Sequence, residues 1–273
     1  MNAKSPTAGD AAHTAGRPWQ TVAFAAFTVA CVAAAFLLPA VPQATEYHGF
    51  VDDRTLWGVP HFKNVVSNLA FVLVGVAGFL VIARSPSAFL NRSERWPYYV
   101  FFAGLVLTGV GSAYYHLAPD NETLFWDRLP MTVAFAGLVA GQIAERIAPR
   151  VGVTLLTPML AIGAASVIYW RATERAGVGN VLPYAILQGY TMAGVLLLAF
   201  THPSRYTRGS DIYWVFGAYL AAKIAESLDA QIWEWTIGII SGHTLKHLLA
   251  AVSGVIVCIT LLRRRPRGLP ASA

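Results

Sequence analysis

The stretch GSAYYHLAPDNETLFWDRLPM, residues 111–131, lies between two strongly apolar runs, and its reading decides the fold. Its centre carries the Pro, Asp, Asn and Glu of a turn. Ser112, His116 and Asp127 fall where the apolar runs end and begin. The segment reads as a helix end, a short turn and a helix start. That hairpin brings Ser112 and His116 back beside Asp127, and the four-residue spacing of Ser112 and His116 puts them on one helix face. The turn itself, LAPDNET, is expected only to reverse the chain.

Working outward, apolar runs recur along the whole sequence. Hydrophobic residues make up 56% of the 273 positions, charged residues 12%, and mean hydropathy is +0.52. An average soluble domain has about 25% charged residues, so this is a membrane composition. About 20 apolar residues cross the hydrocarbon of a bilayer. Runs that meet this need occupy 20–39, 63–83, 97–116, 126–145, 152–170, 181–200, 211–229 and 240–262. The expectation is an all-α membrane protein of eight helices. The seventh run is the weakest, because YLAAKIAESLD carries Lys223, Glu226 and Asp229. No polar linker divides the chain. A single transmembrane domain over 18–262 is expected, after a disordered tail of residues 1–17 and before a basic tail of 263–273. The first run is read as an uncleaved helix, since LLPAVPQAT lacks a small-x-small cleavage site.

The net charge of +6 and pI near 9.5 would suggest a nucleic-acid partner in a soluble protein. Here topology explains them. With both termini inside, thirteen of the 20 Lys and Arg fall in inner segments and five in outer ones, while Lys223 and Lys246 lie within helices. Positive-inside bias of this size requires an even number of spans. No nucleic acid is expected as a partner. The two cysteines, Cys31 and Cys258, lie in apolar runs and are too few for a cysteine zinc site.

Ionisable groups inside a membrane cost about 2.5–3.5 kcal/mol each on insertion scales, so each asks for a partner or a role. His116 ends the third span, Asp127 begins the fourth, and SGHTLKHLLAAVSG opens the eighth. The topology therefore puts His116, Asp127, His243 and His247 in one layer near the outer face. His243 and His247 stand at i and i+4, which stacks them on one face. Three histidines with an open position are the usual ligand count of a catalytic zinc site. Asp127 is placed to act as a base or to orient a ligand. Asn64 and Asn68 could join this site or simply join helices. His48, Asp52, Asp53 and His61 read as solvated loop residues, and Glu226 and Asp229 as cavity residues or partners of Lys223. Trp57, Trp126, Trp233 and Trp235 read as an interfacial belt. His13 and His202 lie away from the layer.

GSAYYH, WDRLPM and HTLKH together resemble the S-x3-H … D … H-x3-H signature of the alkaline ceramidases, which belong to the CREST superfamily of seven-helix membrane hydrolases and receptors. FKNVVSNLAF is similar to their first core helix. The resemblance spans about residues 50–262 and makes the first helix an addition before a seven-helix core. It implies a zinc-dependent amidase of ceramide-like lipids. It also implies zinc ligands at His116, His243 and His247, with Ser112 and Asp127 beside the water that the metal activates. One departure is His61, which stands where eukaryotic members carry a glutamate of their calcium-binding segment, and this speaks against calcium. The Ala- and Arg-rich composition suggests a bacterial source, hence a multi-pass protein of the cytoplasmic membrane. The same superfamily offers a second reading, a zinc-containing lipid receptor or a hydrolase of lipid esters and anchors. A transporter is disfavoured, because the polar residues lie at one boundary and no inverted repeat is evident. Neither the physiological lipid nor the oligomeric state is legible.

Overall fold

The computed structural model describes residues 18–267. The expected tail of residues 1–17, with His13, lies outside the described residues, as do the last six positions of the chain. The described chain is helical almost throughout, with two isolated backbone bridges, Leu56–Val59 and Tyr206–Pro266. In order, the helices are α1 (Pro18–Leu37), α2 (Phe62–Ser67), α3 (Leu69–Arg84), α4 (Arg95–Leu117), α5 (Asn121–Arg146), α6 (Pro149–Arg175), α7 (Leu182–Thr201), α8 (Asp211–Ser227), α9 (Asp229–Trp235) and α10 (Gly242–Arg263). All eight expected runs are helices. The second is interrupted at Asn68, and the short α9 follows the seventh.

Six segments are long and apolar enough to cross a bilayer: 19–37, 62–84, 92–117, 149–175, 182–201 and 242–263. The protein is a multi-pass integral membrane protein. α5 and α8 fall short of that standard. α5 carries Glu122, Asp127, Arg128, Glu145 and Arg146, and α8 has 17 residues with Asp211, Lys223 and Glu226. Most of these charges are turned inward, so a sum over the helix undervalues its apolar outer face.

The core helices form a ring in which α3, α4, α5, α6 and α7 pack in sequence, and α10 closes α8 onto α3. α7 and α8 touch only sparsely, which leaves a seam. α1 stands outside the ring against α7, where Phe27 stacks on Tyr190 at 5.6 Å and Thr28 meets its hydroxyl at 3.1 Å. Its remaining surface, including Val22, Val29 and Phe36, is exposed, as suits a helix facing lipid.

Two local devices hold the α4–α5 hairpin. Asp120 caps α5 by accepting the Thr123 amide at 2.6 Å. Pro130 has no N–H for the carbonyl four residues back, that of Trp126. Gly111 lies directly against that carbonyl, so a Cβ there would collide with it. The turn does more than reverse the chain. Asn121 also receives His48 Nε2 at 3.0 Å and so fastens the preceding loop to the hairpin.

At the opposite end of the bundle, the start of the expected basic tail is bound down. Arg264 is buried and donates to Glu145 at 2.9 Å, to the Tyr98 hydroxyl at 3.0 Å and to the Ala88 carbonyl at 2.9 Å. Arg265 and Arg267 pair with Thr207 and Arg205 through the backbone. Nearby, Glu94 accepts from Tyr206 at 2.5 Å. This network satisfies charges that would otherwise be buried alone.

Candidate functional site

His116 comes from the last turn of α4, and His243 and His247 from the first two turns of α10. Their ring centroids are 5.0, 5.1 and 5.0 Å apart in pairs. One nitrogen of each lies within 4.8 Å of the other two, and all three residues are buried. His116 Nδ1 and His243 Nε2 are buried with no hydrogen-bond partner. Buried ring nitrogens without a hydrogen-bond partner are costly unless a cation takes their lone pairs. The group is therefore one that could hold a metal ion.

Neighbouring side chains set this geometry. The Ser67 hydroxyl meets His247 Nδ1 at 2.7 Å, which leaves Nε2 for the cluster. Thr244 donates to Asn64 Oδ1 at 2.6 Å, tying α10 to α2. Asn68 donates to the Asn64 carbonyl at 2.7 Å. Asn64 thus joins helices, while the Asn68 amide bonds back within its own stretch of chain, and neither lines the cavity. Asp229 Oδ1 accepts the His243 amide at 2.7 Å, and its other oxygen accepts the Val51 amide at 3.2 Å. Asp229 is an extra cap for α10. Gly242 lets α10 start against the Ala225 carbonyl, where a Cβ would not fit.

The loop before α2 covers the cluster. The Phe50 ring lies 4.7 Å from the His116 ring and 4.4 Å from that of His243. His61 packs against the same phenyl at 5.6 Å. His48 bonds the Tyr115 hydroxyl at 2.9 Å. Asp52 pairs with Arg54 at 2.7 Å. Burial pushes the Asp52 carboxyl up, yet the Arg54 guanidinium outweighs it and holds the group below the usual range. Asp53 is exposed. Trp57, Trp126 and Trp235 are exposed, while Trp233 lies under Arg54, 4.4 Å from its guanidinium carbon.

Beside the cluster lies a cavity of about 270 Å³. Ser112, Asp127 and His247 line one part of it, with Phe71, Thr108 and Ala250. Ser112 is within hydrogen-bonding reach of the Asp127 carboxylate, and both are buried. Arg128, Glu226, Lys223 and Lys246 line another part. Glu226 accepts from Lys246 at 2.8 Å and also from Lys223. Its side chain thus serves the cavity and the lysines at once.

The five residues singled out from the sequence are therefore neighbours: three histidines in contact, and two polar residues on the adjoining cavity wall. Sequence reasoning missed Ser67, Phe50 and Arg128. Ser67 stood three residues after Asn64, on a face already marked as polar. Phe50 had no signal, since its contact depends on the path of a loop. His202 lies elsewhere, against Thr21 and Thr201.

A family model described as Ceramidase matches residues 58–265, from the loop before α2 to just past α10, and leaves α1 outside. No curated protein matches the chain. With most of its length matched, and with the helix pairs that carry the histidines inside that match, the chain belongs to the ceramidase family, hydrolases that act on the amide bond of ceramide.

Proposed function

We propose that the histidine cluster binds zinc and that the protein hydrolyses the N-acyl amide bond of ceramide-like lipids within the membrane, giving a fatty acid and a free sphingoid base or amine. The observation that carries this reading is the buried cluster of His116, His243 and His247, with two orphaned ring nitrogens, whose member His247 lines a cavity together with Ser112 and Asp127. Bound there, zinc supplies a Lewis acid and lowers the pKa of water toward about 7. Asp127 takes a proton from the attacking water and later gives it to the departing amine nitrogen. Once protonated, Asp127 no longer competes for the Ser112 hydroxyl. That hydroxyl then donates to the carbonyl oxygen as negative charge develops on it. The water oxygen ends in the fatty acid, and its two protons are shared between the products.

Phe71, Met131, Val181 and Ala250 give the cavity an apolar wall suited to a hydrocarbon chain. Phe50 keeps bulk water off the histidines, which strengthens the electrostatic interactions between them. The charge bias supports an orientation with both termini in the cytoplasm and the site near the outer face, and the Ala- and Arg-rich composition suggests that the membrane is bacterial.

The test is release of fatty acid from a ceramide in mixed micelles by purified protein, with bound metal measured in parallel. Wild type is expected to carry one zinc per chain and to turn over. Chelation, His243→Ala and Asp127→Asn should each abolish turnover, and Asp127→Asn should retain zinc. A protein without stoichiometric zinc, or a fully active His243→Ala variant, would sink the reading. Tight lipid binding with no product would favour a receptor instead.

A further inference from the structure

Thr108 stands one turn before Ser112 on the same face of α4 and lines the same cavity. It is 6% exposed, and its hydroxyl has no hydrogen-bond partner. Among the described residues this sets it apart. Every other buried serine or threonine hydroxyl is bonded, and Thr108 Oγ1 is the one hydroxyl oxygen buried without a partner. A helical threonine has a ready acceptor in the carbonyl four residues back. Thr28, Thr191, Thr201 and Thr260 each use theirs, at 2.9, 2.9, 2.6 and 2.9 Å. Thr108 leaves the Gly104 carbonyl alone and keeps both its donor and its acceptor capacity free at the cavity wall.

The surroundings of that hydroxyl follow from helix register. One turn inward from Ser112, Asp127, Glu226 and Lys246 stand Thr108, Met131, Ala222 and Ala250, all of them on the cavity wall. The upper layer is polar throughout. The lower one is apolar except for Thr108. A water molecule bound at that level needs two to four polar partners, and Met131, Ala222 and Ala250 offer at most a weak thioether acceptor. The apolar level suits the first carbons of an acyl chain whose carbonyl oxygen faces Ser112, while the amine portion stays with Glu226 and Lys246 above. Four residues of helix rise about 6 Å. Hydrogen bonds of about 2.7–2.8 Å from each hydroxyl span that distance when the chain carries an oxygen on the carbon next to the carbonyl.

We propose that Thr108 is a specificity-determining residue that binds a hydroxyl on the acyl carbon beside the scissile amide, so that among ceramides the 2-hydroxyacyl forms are the preferred substrates. The proposal rests on the amidase reading above and deepens it. An unhydroxylated ceramide still fits and is still cleaved. It leaves the Thr108 hydroxyl unpaired in the complex, whereas the 2-hydroxy chain pairs it, and a site with a polar group to satisfy discriminates on that difference.

The test compares each epimer of a 2-hydroxyacyl ceramide with the unhydroxylated ceramide of the same chain and base, using the full-length protein supplied with zinc in mixed micelles. Wild type is expected to favour one epimer about three- to tenfold in kcat/KM, the yield of one net hydrogen bond. The other epimer turns its hydroxyl away from Thr108 and should gain less. Thr108→Val should bring the ratio to one or below, chiefly through KM for the hydroxylated lipid, and Thr108→Ser should keep most of it. The ratio is internal to each protein, so a change in absolute rate does not disturb it, and Thr108→Ala replaces Thr108→Val if the latter does not fold. A wild-type ratio near or below one for both epimers overturns the proposal whatever the variants do. So does a ratio unchanged without the hydroxyl, or one lost equally in Thr108→Ser and Thr108→Val, which would mark a packing effect. Equilibrium binding of the same lipids is measured by displacement of a fluorescent ceramide. Cleavage of none of them would refute the amidase reading, while the binding ratio still decides the assignment of Thr108.

Discussion

Ser67→Ala should weaken zinc binding about 10–100-fold while leaving the fold in place. The hydroxyl meets His247 Nδ1 at 2.7 Å in a buried setting, with Ser67 itself 9% exposed. Removing one partner of a buried hydrogen bond costs about 1–3 kcal/mol. Each 1.4 kcal/mol is about tenfold in an equilibrium constant, and the loss of an orienting partner of a metal-bound histidine falls in the same range. The cost should appear in metal affinity, because the imidazole loses the contact that selects its tautomer and aims Nε2. Competition with a chromophoric chelator gives the zinc dissociation constant of both proteins. Ser67→Thr retains the hydroxyl and should recover most of the loss. Thermal unfolding of the metal-free proteins provides the control, and a shift of only a few degrees is expected. An affinity within about twofold of wild type would refute the reasoning. Equal losses in Ser67→Ala and Ser67→Thr would do so as well, since the effect would then come from packing.

Gly111→Ala should destabilise the protein by about 1–3 kcal/mol and reduce turnover, because a Cβ drives into the Trp126 carbonyl beside Asp127; thermal unfolding and activity in micelles read both effects. Arg264→Ala should cost about 3–5 kcal/mol by leaving Glu145 buried without its cation, and Arg264→Met with Glu145→Leu should recover part of that loss in the same unfolding assay. Asp120→Ala should cost about 1 kcal/mol through the lost cap of α5. The Thr123 amide holds the Asp120 carboxyl below the usual range. Its contribution is therefore present above the ordinary value near 3.9 and lost as pH falls through the lowered one. Unfolding of wild type and Asp120→Ala should accordingly differ at pH 6 and converge in strong acid.

The helices were legible in the sequence because hydropathy over 20 residues is a sum, and a sum tolerates a few errors. The histidines were legible for a different reason. Spacing within α10 and the alternation of up and down helices fix depth before any contact is known. What remained hidden depends on pairing. Lys223, Glu226 and Lys246 weaken a hydropathy sum, yet they satisfy one another across two helices. Arg128 looks like an interfacial charge until the rings of Trp170, Tyr184 and Tyr47 are placed around it. Asp229 reads from the sequence as either a cavity residue or a partner of Lys223 and instead caps α10, which only the turn into α9 reveals. Arg264 counted as part of a tail, although its side chain is 1% exposed.

The anchoring of residues 264–267 has a further consequence. Arg265 donates its amide to the Thr207 hydroxyl at 2.9 Å across 58 residues, so α8, α9 and α10 form a noncovalently closed ring. Closing such a loop costs entropy that grows only slowly with its length. In return the far end of α10 is pinned. The helix has 22 residues, about 33 Å at 1.5 Å per residue. A rod held at one end by Arg264 and at the other by the Asp229 cap can neither slide nor turn about its own axis. The register of His243 and His247 is thus set partly from the opposite end of the bundle, where a shortened C-terminus would be felt as a loosened histidine cluster.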